Sequence, residues 1–262
     1  MTKKYGDANV IFGVKGKKAL VTGGTKGLGK EMTMCLLENG CDVFVVSRNV
    51  SDSADLTAHA TACGVKVHLH ACDVTKTSAV VEMITKAKET MGRIDILLNA
   101  AGMNIIKPLP EMDDDSWDQV LGLNLKALFV VTREASKVMK AQKYGKIINL
   151  SSIKSVLGSS DGYAAYCTSK SGVNMFTKQA ACELAADGIT VNAIAPTFIR
   201  TAINAHQLDN QAFRTALEAR IPVGRIGAFT DLMGLLLLLA SDASQFITGQ
   251  VILLDGGIAA RQ

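Results

Sequence analysis

The chain has 262 residues, of which 48% are hydrophobic, 5% aromatic and 20% charged. Its net charge of +4 is dispersed, and the absence of a Lys/Arg block argues against a nucleic-acid partner. The apolar cluster LLLLLA at 235–240 is far shorter than the roughly 18 residues that a membrane span needs, which argues against a membrane partner. The length is compatible with one α/β domain whose core is mostly aliphatic.

Short aliphatic or β-branched runs recur along the chain, and most are continuously apolar, as is typical of strands covered on both faces. Segments with helical spacing, such as 76–91 and 116–140, lie between them. The alternation predicts a single-domain α/β fold of Rossmann type over 1–262, a doubly wound seven-stranded parallel sheet with helices on both faces. The predicted strands are 18–22, 42–47, 66–71, 94–99, 146–151, 190–195 and 250–254.

The first predicted strand runs directly into a glycine-rich segment, ALVTGGTKGLGKEM at 19–32. Gly23, Gly27 and Gly29 have the spacing GxxxGxG. Glycines allow a tight turn and a close approach of the backbone to a pyrophosphate, whose charge is favoured at a helix N-terminus. The position of the motif between a strand and a helix predicts a dinucleotide site.

The second predicted strand ends in VVSRN, with Ser47 and Arg48 where an acidic residue would bind the ribose 2′-hydroxyl of NAD(H). Arg48, together with Lys26 in the glycine segment, suits a 2′-phosphate instead. The alternative is that both are exposed surface charges. We expect NADP(H) to be favoured over NAD(H).

Histidines and cysteines show no metal-binding or disulfide pattern. The pair in HLH at 68–70 alternates along a predicted strand without a nearby ligand cluster, so we expect no metal site. The six cysteines include no CxxC pair, and no secretory signal is evident. We therefore expect reduced thiols in a cytoplasmic protein.

Tyr166 and Lys170 stand four residues apart in YAAYCTSKSG, about one helical turn, so that both side chains share one helix face. Such a pair can occur by chance on any helix. It is also the arrangement in which a cation makes a phenol acidic enough for acid–base catalysis.

The motifs together resemble those of the short-chain dehydrogenase/reductase family, in the expected order and from about residue 14 to Gly257. The segments that carry the resemblance are TGGTKGLG at 22–29, CDV at 72–74, NAAG at 99–102, GLNLKA at 122–127, INLSS at 148–152, YCTSK at 166–170 and NAIAP at 192–196.

The resemblance implies a catalytic group of Asn124, Ser152, Tyr166 and Lys170. Tyr166 would exchange a proton with the substrate oxygen, Ser152 would orient that oxygen, and Asn124 would hold a water linking Lys170 to solvent. Lowering a phenol pKa from about 10 toward 7 requires about 4 kcal/mol. A charge about 4 Å away supplies about that much at an effective dielectric constant of roughly 20, so we expect Lys170 to lower the pKa of Tyr166.

The motifs and the resemblance together also assign a cofactor-binding set. Asp73 would contact adenine, and Lys170 would also hold the ribose hydroxyls. The full set is Gly23, Thr25, Lys26, Gly27, Leu28, Gly29, Ser47, Arg48, Asn49, Asp73, Val74, Asn99, Ala100, Gly102, Tyr166, Lys170, Pro196, Ile199 and Thr201.

The sequence departs from the family pattern at three places. Ala100 replaces a commoner Asn, and Thr197 replaces a commoner Gly beside the expected nicotinamide site. Fourteen residues separate Ser152 from Tyr166, against the usual thirteen, and an extra residue in the loop 158–165 would absorb the difference. Ser151 therefore competes with Ser152 for the catalytic role.

The tail at 220–257 resembles the sugar-acid branch of the family, which comprises 2-deoxygluconate 3-dehydrogenases, 2-dehydro-3-deoxygluconate 5-dehydrogenases and gluconate 5-dehydrogenases. The substrate would be a small carbonyl or alcohol, and a carboxylate on it would need a nearby cation. Candidate substrate residues, with Ser152, are Lys154, Arg200, Asn104 and Tyr163.

Two alternative functions remain open, a 3-oxoacyl-carrier-protein reductase or general ketone reductase, and a non-catalytic NADP-binding protein. The segment 197–228 is expected to cover the substrate as a lid. The resemblance also implies a homotetramer formed through the predicted helices 115–141 and 164–186, together with the C-terminal strand region.

Overall fold

The computed structural model describes residues 8–201 and 204–261. The described strands form one sheet in the order β3-β2-β1-β4-β5-β6-β7, and every neighbouring pair is parallel. The strands are β1 Lys18–Thr22, β2 Asp42–Ser47, β3 Val67–Ala71, β4 Ile96–Asn99, β5 Gly145–Leu150, β6 Ile189–Pro196 and β7 Val251–Leu254.

The described helices alternate with these strands along most of the chain, as the sequence predicts. They are α1 Ala8–Ile11, α2 Gly27–Glu38, α3 Ala54–Ala62, α4 Thr77–Met91, α5 Asp114–Leu121, α6 Leu128–Gln142, α7 Ala164–Leu184, α8 Ala205–Leu208, α9 Gln211–Glu218 and α10 Phe229–Ala240.

Helices cover both faces of the sheet, so alternate strand residues enter two separate hydrophobic cores. In β1, Leu20 packs into the core formed with α4, α6 and α7, whereas Ala19 and Val21 pack into the core formed with α2, α3 and α10. All three residues are fully buried. Burial on both faces explains why the strands are continuously apolar in the sequence.

The predicted helix over 115–141 is interrupted in the structure. A π-helical turn, Gly122–Ala127, separates α5 from α6 and carries Asn124. Such wide turns accommodate an extra residue per turn and are frequent at functional sites. Here the turn directs the fully buried Asn124 side chain toward the end of β4.

The sheet reverses its strand order between β1 and β4, where Thr22 is paired with Asn99. The amide of Ala100 then donates to the carbonyl oxygen of Thr22 at 3.1 Å, which joins the segments that follow the two strands. In open parallel sheets, ligands bind outside the carboxyl ends of the strands at such a switch point.

Candidate active site

A continuous cleft lies at the carboxyl ends of the strands and consists of two connected pockets. The outer pocket has a volume of about 790 Å³ and the inner pocket about 440 Å³. The two pockets form one cleft because they share part of their lining. The shared residues are Gly27, Leu28, Ala100, Gly102, Met103 and Leu150.

Most of the predicted site residues line this cleft. The outer pocket adds Gly23, Thr25, Lys26, Gly29, Ser47, Arg48, Asp73 and Val74. The inner pocket adds Asn104, Ser151, Ser152, Lys154, Tyr163, Tyr166, Lys170, Pro196, Ile199 and Thr201.

The glycine turn fits a pyrophosphate because its backbone leaves no room for side chains. Gly23 has a φ of +71°, and a Cβ there would lie 2.7 Å from the backbone of Ala101. A Cβ on Gly29 would overlap the carbonyl oxygen of Gly23. Since α2 begins at Gly27, its first amide groups face the same turn and favour an anion.

Two basic side chains flank the outer pocket where β2 ends. Lys26 and Arg48 are exposed, and among the described residues no carboxylate lies within 4.0 Å of either cation. Thr25 Oγ1 donates to Ser47 Oγ at 3.0 Å and joins the glycine turn to the end of β2. The arrangement leaves both positive charges available to an anionic ligand.

Lys170 lies behind the inner pocket on α7 and is 4% exposed. Its ammonium donates to the carbonyl oxygen of Leu150 at 2.6 Å and lies 5.7 Å from the ring centre of Tyr166. Burial disfavours the charged form and lowers the pKa of Lys170 to about 8.

The expected lowering of the Tyr166 pKa by Lys170 is wrong for this structure. Burial raises the pKa of Tyr166, and a hydrogen bond with Ser152 acts in the opposite direction. The physical reason is that the Lys170 ammonium is directed at the Leu150 carbonyl, so Tyr166 loses hydration without gaining a close positive charge.

The structure separates the two serines after β5. Ser151 Oγ donates to Asn174 Oδ1 at 2.6 Å, whereas Ser152 lines the inner pocket beside Tyr166, and its hydroxyl acts to lower the pKa of that phenol. The loop 158–165, where the sequence predicts one extra residue, contains Gly162 with a φ of +76°. The contacts favour Ser152 over Ser151 as the partner of Tyr166.

Asn124 supports the cleft from behind. Its Oδ1 accepts from the Met103 amide at 2.8 Å, and its Nδ2 donates to the Met103 carbonyl oxygen at 2.9 Å. A Cβ on Gly102 would lie 3.3 Å from Asn124 Oδ1 and 3.7 Å from Lys170 Nζ. Gly102 therefore allows Asn124 and Lys170 to approach the same point of the cleft wall.

Besides Asn124, three predicted site residues do not line the cleft. Asn49 faces Ser51, whose amide and hydroxyl both donate to Asn49 Oδ1 at 2.8 Å. The buried amide of Asn99 instead donates to Thr132 and Asn149. Arg200 is exposed and donates to Asp209 at 2.7 Å, so its charge is directed away from the pocket.

Other lining residues were not predicted. Asp115, Asp118 and Gln119 on α5 line the outer pocket, while Phe198 and Asn204 line the inner one. None of these residues belongs to a motif in the sequence. Thr197, the departure from Gly, also lines the inner pocket and is not among the described residues with a positive φ, so the turn tolerates it.

Among the described residues, no three His, Cys, Asp or Glu side chains are grouped as metal ligands would be. The six cysteines are unpaired. No described helix is long and apolar enough to cross a lipid bilayer.

The doubly wound parallel sheet with a cleft at its switch point is the architecture of a Rossmann-type dinucleotide-binding fold. Residues 23–259 match the family described as enoyl-(acyl carrier protein) reductase. The chain belongs to the short-chain dehydrogenase/reductase family. The relatives that it matches in this family are oxidoreductases acting on CH–OH groups.

Relatives of this chain differ in the substrates that their names give. The 3-oxoacyl-acyl-carrier-protein reductase of Thermotoga maritima is 38% identical over 94% of this chain and 98% of its own length. The gluconate 5-dehydrogenase of Gluconobacter oxydans is 33% identical over 95% of this chain and 96% of its own length. The crystal structure of a gluconate 5-dehydrogenase from Burkholderia cenocepacia in complex with NADP and tartrate matches with a TM-score of 0.92 and 33% identity. The match covers 98% of this chain and 100% of that one.

Proposed function

We propose that this protein is an NADP(H)-dependent oxidoreductase that interconverts a secondary alcohol and a carbonyl of a sugar acid or polyol. The observation that carries the proposal is the continuous cleft from the glycine turn to Ser152, Tyr166 and Lys170. The dinucleotide supplies or accepts the hydride when bound. Tyr166 gives a proton to, or takes it from, the substrate oxygen, and Ser152 orients that oxygen.

The choice of NADP(H) is supported by Lys26 and Arg48 beside the outer pocket. Their charges suit a 2′-phosphate, and the end of β2 offers Ser47 rather than a carboxylate to the ribose. The Burkholderia cenocepacia structure, which contains NADP, supports the same choice.

An acidic substrate is supported by the charge of the inner pocket. Its described lining contains Lys154 and Lys170 and no Asp or Glu. Since Lys170 donates to Leu150, Lys154 is the cation left for a substrate carboxylate. Its Nζ lies 4.7 Å from the ring centre of Tyr163, which keeps it at the wall of the pocket. The tartrate in the Burkholderia cenocepacia structure is itself a hydroxy acid and supports this substrate class.

The segment 197–228 is proposed to act as the substrate lid. Its described residues include Phe198, Thr201 and Asn204 of the inner pocket, and residues 202–203 lie outside the described part.

We also propose a homotetramer in the cytoplasm. Exposed apolar side chains on α6 and α7, among them Phe129 and Met175, support the association of these helices, and the unpaired cysteines suit a reducing compartment.

The proposal is tested by following reduced-nicotinamide absorbance with sugar acids, polyols, keto acids and acetoacetyl thioesters, each with both cofactors. We expect turnover of a sugar acid with NADP(H). Lys154→Ala should raise the KM for that acid by roughly tenfold and leave the KM for an uncharged polyol unchanged. Turnover of the thioesters alone would establish the acyl-carrier-protein reductase instead, and cofactor binding without any turnover would indicate a non-catalytic protein.

A further inference from the structure

Helix α7 continues the spacing of Tyr166 and Lys170 with a third polar residue, Asn174. Residues spaced by four lie on one helix face, so all three point toward the segment that follows β5. Lys170 contacts the last residue of β5, since its ammonium donates to the Leu150 carbonyl oxygen. Asn174 is half-buried and does not line the inner pocket, so it has no direct role in binding substrate.

The amide of Asn174 closes a ring of hydrogen bonds with the segment after β5. Its Oδ1 accepts from Ser151 Oγ at 2.6 Å, and its Nδ2 donates to Ser155 Oγ at 2.7 Å. Ser155 Oγ in turn donates to the carbonyl oxygen of Ser152 at 2.5 Å. Ser151 and Ser152 are adjacent, so the ring returns to the point where it begins. Ser171 also joins the turn, donating to the Ser155 carbonyl oxygen at 2.8 Å.

The ring of hydrogen bonds determines which of Ser151 and Ser152 can contact Tyr166 and the substrate. Ser152 has an extended backbone, with φ of −162° and ψ of 156°. Because Ser151 Oγ is bonded to Asn174, it is not available to Tyr166, and Ser152 is the serine left to face the phenol in the inner pocket. Among the described contacts, Ser152 Oγ accepts one hydrogen bond, from the Lys154 amide at 3.2 Å, so its own proton remains available to the phenol or to a substrate oxygen.

We infer that Asn174 is a positioning residue that fixes the turn from Ser151 to Ser155 and thereby holds Ser152 against Tyr166. The inference rests on the proposed function of Ser152 and Tyr166. A displacement of about 1 Å in a catalytic group can cost about a hundredfold in rate, so the rigidity of this turn has a kinetic consequence.

The first test is the kinetics of Asn174→Leu, which keeps the side-chain size and removes both hydrogen bonds. We expect kcat to fall by roughly ten- to hundredfold, with the cofactor KM near that of wild type. In a Ser152→Ala background, Asn174→Leu should cost less than about twofold, since its effect passes through Ser152. Losses that multiply in the double variant would overturn the inference.

A matched control separates positioning from stability. Thr177, one turn further along α7, is fully buried and accepts from Asn149 Nδ2 at 2.9 Å. Thr177→Val removes a buried hydrogen bond from the same helix without touching the turn after β5. It should lower Tm and leave kcat near wild type; an equal loss of kcat in the two variants would make Asn174 merely structural.

A second readout needs no turnover and is independent of the proposed substrate. The phenol of Tyr166 can be titrated by ultraviolet difference against Tyr166→Phe, in a site where Tyr163, Cys167 and Lys170 also face it. Because the Ser152 hydroxyl acts to lower the pKa of Tyr166, displacing Ser152 by Asn174→Leu should raise that pKa.

If no carbonyl is turned over by wild type, the proposed function fails while the titration still decides the role of Asn174. If Asn174→Leu does not fold, Ser155→Ala opens the same ring at a half-buried hydroxyl. An unchanged Tyr166 titration in the variant that folds overturns the inference.

Discussion

At the scale of single residues, burial dominates the electrostatics of the proposed catalytic pair, Tyr166 and Lys170. The spacing of Tyr166 and Lys170 correctly predicts a shared helix face, but spacing does not specify what each polar atom contacts. The Lys170 ammonium finds the carbonyl of Leu150, whose position depends on the packing of α7 against β5. The direction of the Tyr166 pKa shift therefore could not be predicted from the sequence.

The buried ammonium of Lys170 predicts how carbonyl reduction depends on pH. The Lys170 pKa of about 8 means that the positive charge is present below that pH and lost above it. If the charge assists catalysis, kcat/KM for reduction should fall as the pH rises through about 8, and Lys170→Met should lose this limb together with most of the activity. The measurement is a kcat/KM profile from about pH 6 to about pH 10. A wild-type profile that stays flat above pH 9 would contradict it.

Arg48 predicts the cofactor preference. Arg48→Ala would remove the charge-assisted contact that we propose to a 2′-phosphate, so the KM for NADPH should rise by roughly ten- to hundredfold while the KM for NADH changes little. Lys66→Ala serves as the control. Lys66 is exposed and precedes β3, so it lies at the amino ends of the strands, away from the cleft at their carboxyl ends. An unchanged ratio of the two KM values in Arg48→Ala would rule out the role of this residue.

At the scale of elements, the strands were predictable to within about two residues because continuous apolar runs are distinctive. The glycine turn was predictable for a similar reason, since few residues other than glycine fit it. The π-helical turn was not predictable, because the Asn124 side chain that it carries is bonded to Met103, 21 residues away, and no local pattern signals such a contact. Arg200 was wrongly assigned to the substrate pocket for the same kind of reason, because its partner Asp209 lies on a neighbouring segment.

The glycine turn gives a prediction at this scale. Gly29→Ala would place a Cβ against the carbonyl oxygen of Gly23, so the turn must open and the pyrophosphate site is distorted. We expect the variant to lose most of the increase in Tm that NADPH confers on wild type. Gly234→Ala in α10 is the control, since no atom lies within 4 Å of the added Cβ, and its response to NADPH should match wild type. Equal responses of the two variants would show that the turn tolerates a side chain.

At the scale of the whole molecule, the two edges of the sheet differ in chemistry. The carboxyl edge carries the cleft, whereas the amino edge carries a half-buried ionic group joining β1 to the segment before β7. In it, Lys17 donates to Tyr144 Oη at 2.6 Å, and Tyr144 donates to Asp242 at 2.7 Å. Lys146 of β5 lies beside this group, 2% exposed, with Ser244 Oγ 3.5 Å from its ammonium.

The position of Lys146 makes stability depend on pH. Burial lowers its pKa from 10.5 to about 8, although Asp242 nearby acts in the opposite direction. Between these two pH values the unfolded chain binds a proton that the folded chain does not, so the free energy of unfolding rises with pH. Below about pH 8 the folded protein holds the buried charge at a cost of up to about 3 kcal/mol.

Lys146→Met should therefore stabilise the protein at neutral pH, because an apolar chain of similar length replaces a buried ammonium. We expect Tm to rise by a few degrees at about pH 7 and the gain to shrink toward zero near pH 10, where the folded wild type is already neutral at this position. Thermal unfolding at both pH values measures the difference, with the exposed Lys178→Met as a control for charge removal. Lys170 contributes the same pH trend to every one of these proteins, so the comparison isolates Lys146. A lower Tm for Lys146→Met at neutral pH would mean that the ammonium contributes more through Ser244 and Asp242 than its burial costs.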